Sequence, residues 1–330
     1  MHIIDAHIHY AGDHPDVWQL LDRLSLKLLN VAVAHKRGGE WRADAAGAMA
    51  LSAQQRDHFA WCTTFDPPSL PCNEQGYVDA VIAGLERDFA NGAVACKFWK
   101  NIGMELRKPS GEYLMVDDPL FDPLYEYLAD ARRPALMHIG EPLACWLPLD
   151  DDNPHAAYYR QHPEWYMGNK PHIPSHAALI AARDRVLARH GDLKVIGAHL
   201  GSLEYDVGEL AARLDRYPNF AVDTSARLMD LMLQDTQTVR DFFLAYSDRI
   251  LFGTDYVHRQ RVSTMDAEAR QAHLAALALR YATEVAYFEV AGEFDFRGER
   301  AIGLGLPEPV LARVLHENAE RWYPGLANQG

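Results

Sequence analysis

Two histidines one residue apart, His7 and His9 in the stretch MHIIDAHIHY over residues 1–10, are the first place where chemistry is legible in this chain. Ile3, Ile4, Ala6 and Ile8, with few polar interruptions, predict a short buried strand. Side chains at i and i+2 of a strand share a face, so His7 and His9 project together. Two neutral imidazoles on a rigid strand supply half of a site for zinc or a related ion. The alternative is an unrelated pair of polar residues closing a strand. What separates the two is whether later strands end in suitable partners.

Later apolar runs do end that way. AVACKF (93–98) carries Lys97, PALMHI (134–139) carries His138, and KVIGAH (194–199) ends in His199. Asp223 ends 220–223, and Asp255 follows the run at 249–253. Singly, each has a plain explanation: a strand-end His bonds a backbone carbonyl, and a strand-end Asp caps the next helix. Jointly they read as a metal centre.

The elements that must position these residues alternate along the chain. Strands are predicted over 1–10, 28–34, 59–65, 93–98, 134–139, 194–199, 220–223 and 249–253. Between and after them, apolar spacing predicts helices over 17–29, 42–56, 78–89, 118–131, 175–189 (capped by Ser175), 203–216, 239–246, 265–288 and 308–322. Residues 140–174 interrupt the alternation: rich in Pro, Asp and aromatics, without a clear period, and too long for an ordinary βα loop. Eight strands alternating with helices predict a single α/β domain over 1–330, a (β/α)8 TIM barrel with a long insertion after the fifth strand. A doubly wound open sheet is the competing architecture. It would carry a Gly-rich turn after the first strand, where this chain has His7-Ile8-His9. In a barrel the carboxyl ends of all the strands converge on one face, where active sites lie.

These motifs resemble the amidohydrolase superfamily, and specifically its amidohydrolase-2 branch, which includes aminocarboxymuconate-semialdehyde decarboxylase and lactone hydrolases. The matching pieces are DAHIH at 5–9, LMHIGEP at 136–142, KVIGAHLGS at 194–202, LFGTD at 251–255 and VLHENAERWYP at 314–324. The resemblance implies one divalent ion held by His7, His9, His138 and Asp255, usually zinc, with manganese or a second ion as alternatives. It sets His199 beside the ion, so Asp255 and His199 are the expected catalytic pair. In binuclear members of the superfamily a carbamylated lysine ending the fourth strand bridges two ions, and here Lys97 and His199 would join the ligand set. The branch is usually mononuclear, and Lys97 can instead face substrate.

Other residues follow the strands closely enough to touch a substrate: Trp99 and Lys100 after the fourth, Glu141 and Tyr158 in the insertion, Arg227 after the seventh and Arg259 after the eighth. Most aromatics of the insertion have a simpler use in packing it on the barrel, and an Arg in a βα loop is more often a surface ion pair. The expected function is hydrolysis of a small polar lactone, ester or amide by metal-activated water. Asp255 would take the water's proton, and His199 would serve the oxygen that becomes negative. The alternative is a non-oxidative decarboxylase of a small carboxylic acid. A catalytically silent metal-binding barrel would lack an acid/base partner, whereas His199 and Asp255 are both present.

Composition limits the other classes. Of 330 residues, 48% are hydrophobic and 24% charged, enough apolar material for a core that shapes a deep pocket. A net charge of −14 argues against a nucleic-acid partner, which calls for a basic face. Cys62, Cys72, Cys96 and Cys145 show no CxxC spacing, so neither a cysteine zinc site nor a disulfide framework is indicated. With no signal-peptide pattern and no run near the ~20 apolar residues that span a bilayer, a cytoplasmic enzyme with no membrane partner is expected. The aromatic insertion is consistent with a homo-oligomer.

Overall fold

The computed structural model describes residues 2–35, 39 and 41–327; Met1 of the predicted first strand and the ends of the predicted domain lie outside them. The parallel strands are β1 (Ile3–Tyr10), β2 (Leu26–Val31), β3 (Phe59–Thr63), β4 (Ala93–Phe98), β5 (Ala135–Met137), β6 (Val195–Gly197), β7 (Phe220–Asp223), β8 (Ile250–Leu251) and β9 (Tyr256–His258). They pair in the order β8-β7-β6-β5-β4-β3-β2-β1-β9. β9 continues β8 beyond a turn at 253–255 and pairs with β1, while Ala6 N donates to Phe252 O at 2.9 Å. The sheet therefore closes into the expected barrel.

Helices α1 (Pro15–Leu24), α2 (Trp41–Gln54) and α3 (Glu74–Ala90) follow the first three strands. Boundaries differ from expectation where a capping residue intervenes. The helix expected to run to 29 stops at Leu24, because Ser25 takes a left-handed conformation (φ 52°), and the next strand starts at Leu26. The helix expected from 203 starts at Val207, where the Asp206 carboxylate accepts from the Gly208 and Glu209 amides. The helix expected over 308–322 is interrupted by a wide turn at Arg313–Glu317. Ser175 caps the helix His176–Arg189 as expected. An antiparallel hairpin, β10 (Ala291–Phe296) and β11 (Glu299–Leu304), was not foreseen. Its turn places Arg297 and Gly298 at φ 57° and 88°, the two positive values a tight primed turn requires.

Ile4, Ala6, Leu29, Val31, Cys62, Leu136, Ile196 and Leu251 fill the barrel, and Trp322, Tyr323 and Leu326 close its amino-terminal end. Ile8 belongs instead to the outer layer. The register of β1 against β2 shifts between Asp5 and Ile8, and that shift turns His7 onto the inner face. No helix among the described residues is long and apolar enough to cross a membrane.

Candidate metal centre and active site

His7, His9, Lys97, His138, His199, Asp223 and Asp255 converge at the carboxyl end of the barrel. Asp255 Oδ1 lies 3.3 Å from His9 Nε2 and 3.8 Å from His7 Nε2. The rings of His7 and His9 are 5.5 Å apart, those of His7 and His199 5.0 Å, and those of His138 and His199 4.2 Å. His7, His199 and Asp255 each offer a ligand atom, all within 4.8 Å of one another.

Hydrogen-bond partners determine which nitrogen each ring turns inward. His7 Nδ1 is 2.9 Å from Asp223 Oδ2, a buried carboxylate that only accepts, so Nδ1 carries the proton and Nε2 is bare. Lys97 Nζ donates to that Nε2 at 3.2 Å. His199 Nδ1 donates to Ser225 O at 2.9 Å, which leaves its Nε2 bare as well. His199 Nε2 is 3.2 Å from His138 Nδ1, so His138 is the donor of that pair. The remaining His138 nitrogen, Nε2, is buried with no hydrogen-bond partner among the described residues. Burial pushes His138 and His199 well below the usual imidazole range, so both rings are neutral. Burial also brings the Lys97 ammonium down to about 8. Burial opposes the charge on Asp255, but the hydrogen bond from His9 and the nearby His199 and His7 hold it well below the ordinary carboxylate range.

This set fits a divalent ion. It offers unprotonated imidazole nitrogens at His7, His199 and His138, the last buried with nothing to accept from among the described residues, and His9 beside the same Asp255 carboxylate. Asp223, seen in the sequence only as a strand-end residue, underpins it. Its Oδ2 orients His7, and its Oδ1 accepts from His199 N at 2.8 Å and from Ser225 Oγ. Carboxylates behind metal-binding histidines of this kind raise ligand basicity and fix the ring. Asp223→Asn is expected to weaken divalent-ion affinity about 10–100-fold in competition with a chelator; unchanged affinity would remove Asp223 from this role.

Two strained turns present the late residues. His199, Leu200 and Ser202 all have left-handed backbones (φ 59°, 55° and 58°), costing about 1–2 kcal/mol each. The turn is held by Asp223 on His199 N, by buried Arg183 donating to Gly201 O, and by Ser202 Oγ on Gly140 O. Gly197 is obligatory there, since a Cβ would lie 2.8 Å from both Gly201 Cα and the Phe220 ring. Asp255 is also left-handed (φ 51°), and its N–H donates to His7 O. Asp5 bolts that turn to β1: its Oδ1 accepts from His7 N and Thr254 N, its Oδ2 from Thr254 Oγ1 and Tyr281 OH. Sequence reasoning missed Asp5, Ser225 and Thr254 as supports; the D of DAHIH, the S two residues after FAVD and the T of LFGTD are the signals available for them.

The expected substrate residues divide. Lys97 is central. Lys100 pairs with Glu141, lies 4.2 Å above the Trp165 ring and 5.5 Å from that of Trp99, and is brought to about 8 by burial. Trp99 is buried against His35. Arg227 bonds through Nη1 to its neighbour Ala226 O, while its Nε is buried without a partner among the described residues. Tyr158 and Arg259 make no hydrogen bond to these donors among the described residues, although Arg259 lines a pocket together with His9. Tyr158 is half exposed against Tyr159 and His162, and Arg259 is exposed and paired with Asp44. The 140–174 segment lies on the carboxyl side: Glu204 accepts from Leu143 N, and His155 pairs with Asp230 at 2.7 Å.

The family model described as Amidohydrolase matches residues 4–325. No curated protein matches the chain in sequence. Among solved structures, 2,6-dihydroxybenzoate decarboxylase complexed with 2,6-dihydroxybenzoate is similar at 18% identity and a TM-score of 0.55, over 98% of this chain and 99% of that one. A dihydroxybenzoic acid decarboxylase from Polaromonas sp. JS666, with bound manganese and the inhibitor 2-nitroresorcinol, is 16% identical (TM-score 0.51, 97% and 96% covered). A probable 2-pyrone-4,6-dicarboxylic acid hydrolase from Acinetobacter baumannii, with citric acid bound, is 11% identical (TM-score 0.51, 98% and 99% covered). At these identities the likeness is one of fold.

Proposed function

We propose that this chain, which belongs to the amidohydrolase family, is a metal-dependent hydrolase of a small polar substrate such as a lactone, ester or amide. The observation that carries this reading is the convergence of ligand atoms from His7, His199 and Asp255 within 4.8 Å of one another, with the buried His138 ring 4.2 Å from that of His199. His7, His9, His138 and Asp255 are the ligands in this reading. Zinc suits such a nitrogen-rich set; manganese is the ion bound in the Polaromonas structure. A divalent ion held there would polarise a carbonyl and bring the pKa of a water to about 7.

The chain's own groups then handle protons. Asp255, ionised and adjacent to His7 and His9, orients the attacking water and accepts its proton. Neutral His199 carries its lone pair at Nε2, because its N–H is committed to Ser225 O; that lone pair accepts from His138 Nδ1 in this structure, so taking up a proton requires His138 to turn its donor away. This revises the role expected from sequence: His199 first takes a proton and only then donates one, to the leaving group or the developing oxyanion. Lys97, Lys100 and Arg227 supply positive charge for a polar or anionic substrate. Their charges all bear on His138.

That cationic surround is also what favours the second reading, a decarboxylase whose substrate carboxylate the same three groups would hold. The products separate the two. Hydrolysis in labelled water is expected to place oxygen-18 in a new carboxylate, without release of carbon dioxide. Stoichiometric carbon dioxide would transfer the assignment to decarboxylation.

A further inference from the structure

His199 opens a run of four left-handed residues. His199, Leu200, Gly201 and Ser202 have φ of 59°, 55°, 61° and 58°, one turn of left-handed helix just beyond β6. Only Gly201 adopts that conformation freely. The other three persist there only because their surroundings hold them, and such strain gathers at functional sites. The turn's carbonyls show what does the holding. His199 O accepts from Ser202 N at 3.0 Å and Leu200 O from Leu203 N at 3.2 Å, so the first two are served within the chain segment itself. Gly201 O and Ser202 O accept from side chains instead. Both donors stand on the helix His176–Arg189: Arg183 Nη1 for Gly201 O, and His176 Nε2, at 2.8 Å, for Ser202 O.

Burying these two donors is costly, and packing alone does not explain it. Arg183 is 1% exposed; its guanidinium lies 4.7 Å from the Phe220 ring, and Asp184 Oδ1 accepts from Nε and Nη2 at 3.1 and 2.7 Å. An apolar side chain would fill the same space without desolvating a charge. What the guanidinium adds is the donor to Gly201 O. A Cβ at residue 201 would lie 2.8 Å from Arg183 Nη1, so glycine there also admits the clamp. His176 is buried too, and burial brings it down to about 4, so the ring is neutral. Its Nε2 carries the proton, since Ser202 O can only accept. Trp146, from the 140–174 segment, packs edge-on against that ring at 5.4 Å and donates to Pro174 O at 3.0 Å.

We propose that Arg183 and His176 are positioning residues for His199. By clamping the last two carbonyls of its left-handed turn, they keep the imidazole where Nδ1 donates to Ser225 O and Nε2 faces His138. The proposal rests on the reading of His199 as proton carrier and extends that machinery to a helix that touches neither substrate nor ion. Without either clamp the turn relaxes towards right-handed backbone, and the ring spends part of its time away from the metal donors.

The readout is the Nδ1–H proton of His199, followed by NMR in the full chain with nitrogen-15-labelled histidine and no added metal. His199→Asn identifies its signal among those of the 16 histidines. Bonded to Ser225 O in the interior, this proton exchanges with water only when the turn opens. Arg183→Met keeps an apolar stem and removes the donor; it is expected to speed the exchange about ten-fold or more, as for one lost hydrogen bond from a charged group. His176→Leu is expected to speed it about five-fold. Leu85→Ala is the control, a cavity in α3 where that helix packs against β4. It should lower Tm and leave the exchange rate unchanged. Exchange at the wild-type rate in both Arg183→Met and His176→Leu overturns the proposal, as does equal acceleration in Leu85→Ala. The lack of a slowly exchanging His199 signal in wild type would also overturn it. Should Arg183→Met fail to fold, His176→Leu decides by the same comparison. Because the measurement needs neither metal nor turnover, its failure is distinguishable from failure of the hydrolase reading.

Discussion

His7→Ala is expected to purify without its divalent ion and to lose activity about a thousand-fold or more, whereas wild type carries about one ion per chain. The size follows from what the ion supplies: Lewis-acid stabilisation of several kcal/mol, at about 1.4 kcal/mol for each factor of ten. The barrel should survive. The substitution leaves the Asp223 carboxylate without its main partner, at about 1–3 kcal/mol, but Asp223 still accepts from His199 N and Ser225. Metal analysis and circular dichroism on the same sample check both halves. Full activity in metal-free His7→Ala protein would end the metal-centre reading. Two ions bridged by a modified Lys97 would defeat only its one-ion form, in favour of the arrangement that recruits Lys97 and His199 as ligands.

His199→Asn is expected to lower kcat by about 10²–10⁴ with metal content unchanged, as for loss of a positioned acid/base. Asn still donates and accepts hydrogen bonds but cannot take up a proton, so the change isolates proton transfer from positioning. The geometry supports this separation, since the turn is also held through Arg183 and Ser202, which the substitution leaves in place. If His199 were instead a ligand, as its proximity to His7 and Asp255 allows, the variant would lose the ion together with its activity. The metal content of His199→Asn, measured alongside its loss of turnover, therefore discriminates the two roles. An unchanged kcat would remove His199 from the chemistry altogether.

Much of the centre was legible because local chemistry encodes it. Lys97, His138 and Asp223 follow apolar residues that alternate into the barrel, and each falls on the inner face by counting from Ala95, Leu136 and Ala221. The first strand behaves differently. Counting from Ile4 and Ala6 would put His7 on the outer layer, and only the register shift in β1 brings it inward. The i, i+2 rule said correctly that His7 and His9 act together; it carried no information about which side they face. The hairpin β10–β11 escaped because its exposed residues lack the apolar alternation of a buried strand, and its only signal is the Arg297-Gly298 turn. Arg259 is a candidate substrate binder by its position after the eighth strand; its pairing with Asp44 of α2 could not be read from the sequence, because the partner lies 215 residues away.

The sequence by itself determined the donor types, their order along the chain and the strand ends that carry them, since these depend on residues a few positions apart. Tertiary structure alone decided which nitrogen each histidine turns inward, and so which atoms are free for an ion. The physical reason is that a ring's tautomer is set by its hydrogen-bond partner. For His7 that partner is Asp223, 216 residues away, and for His138 it is His199, 61 residues away.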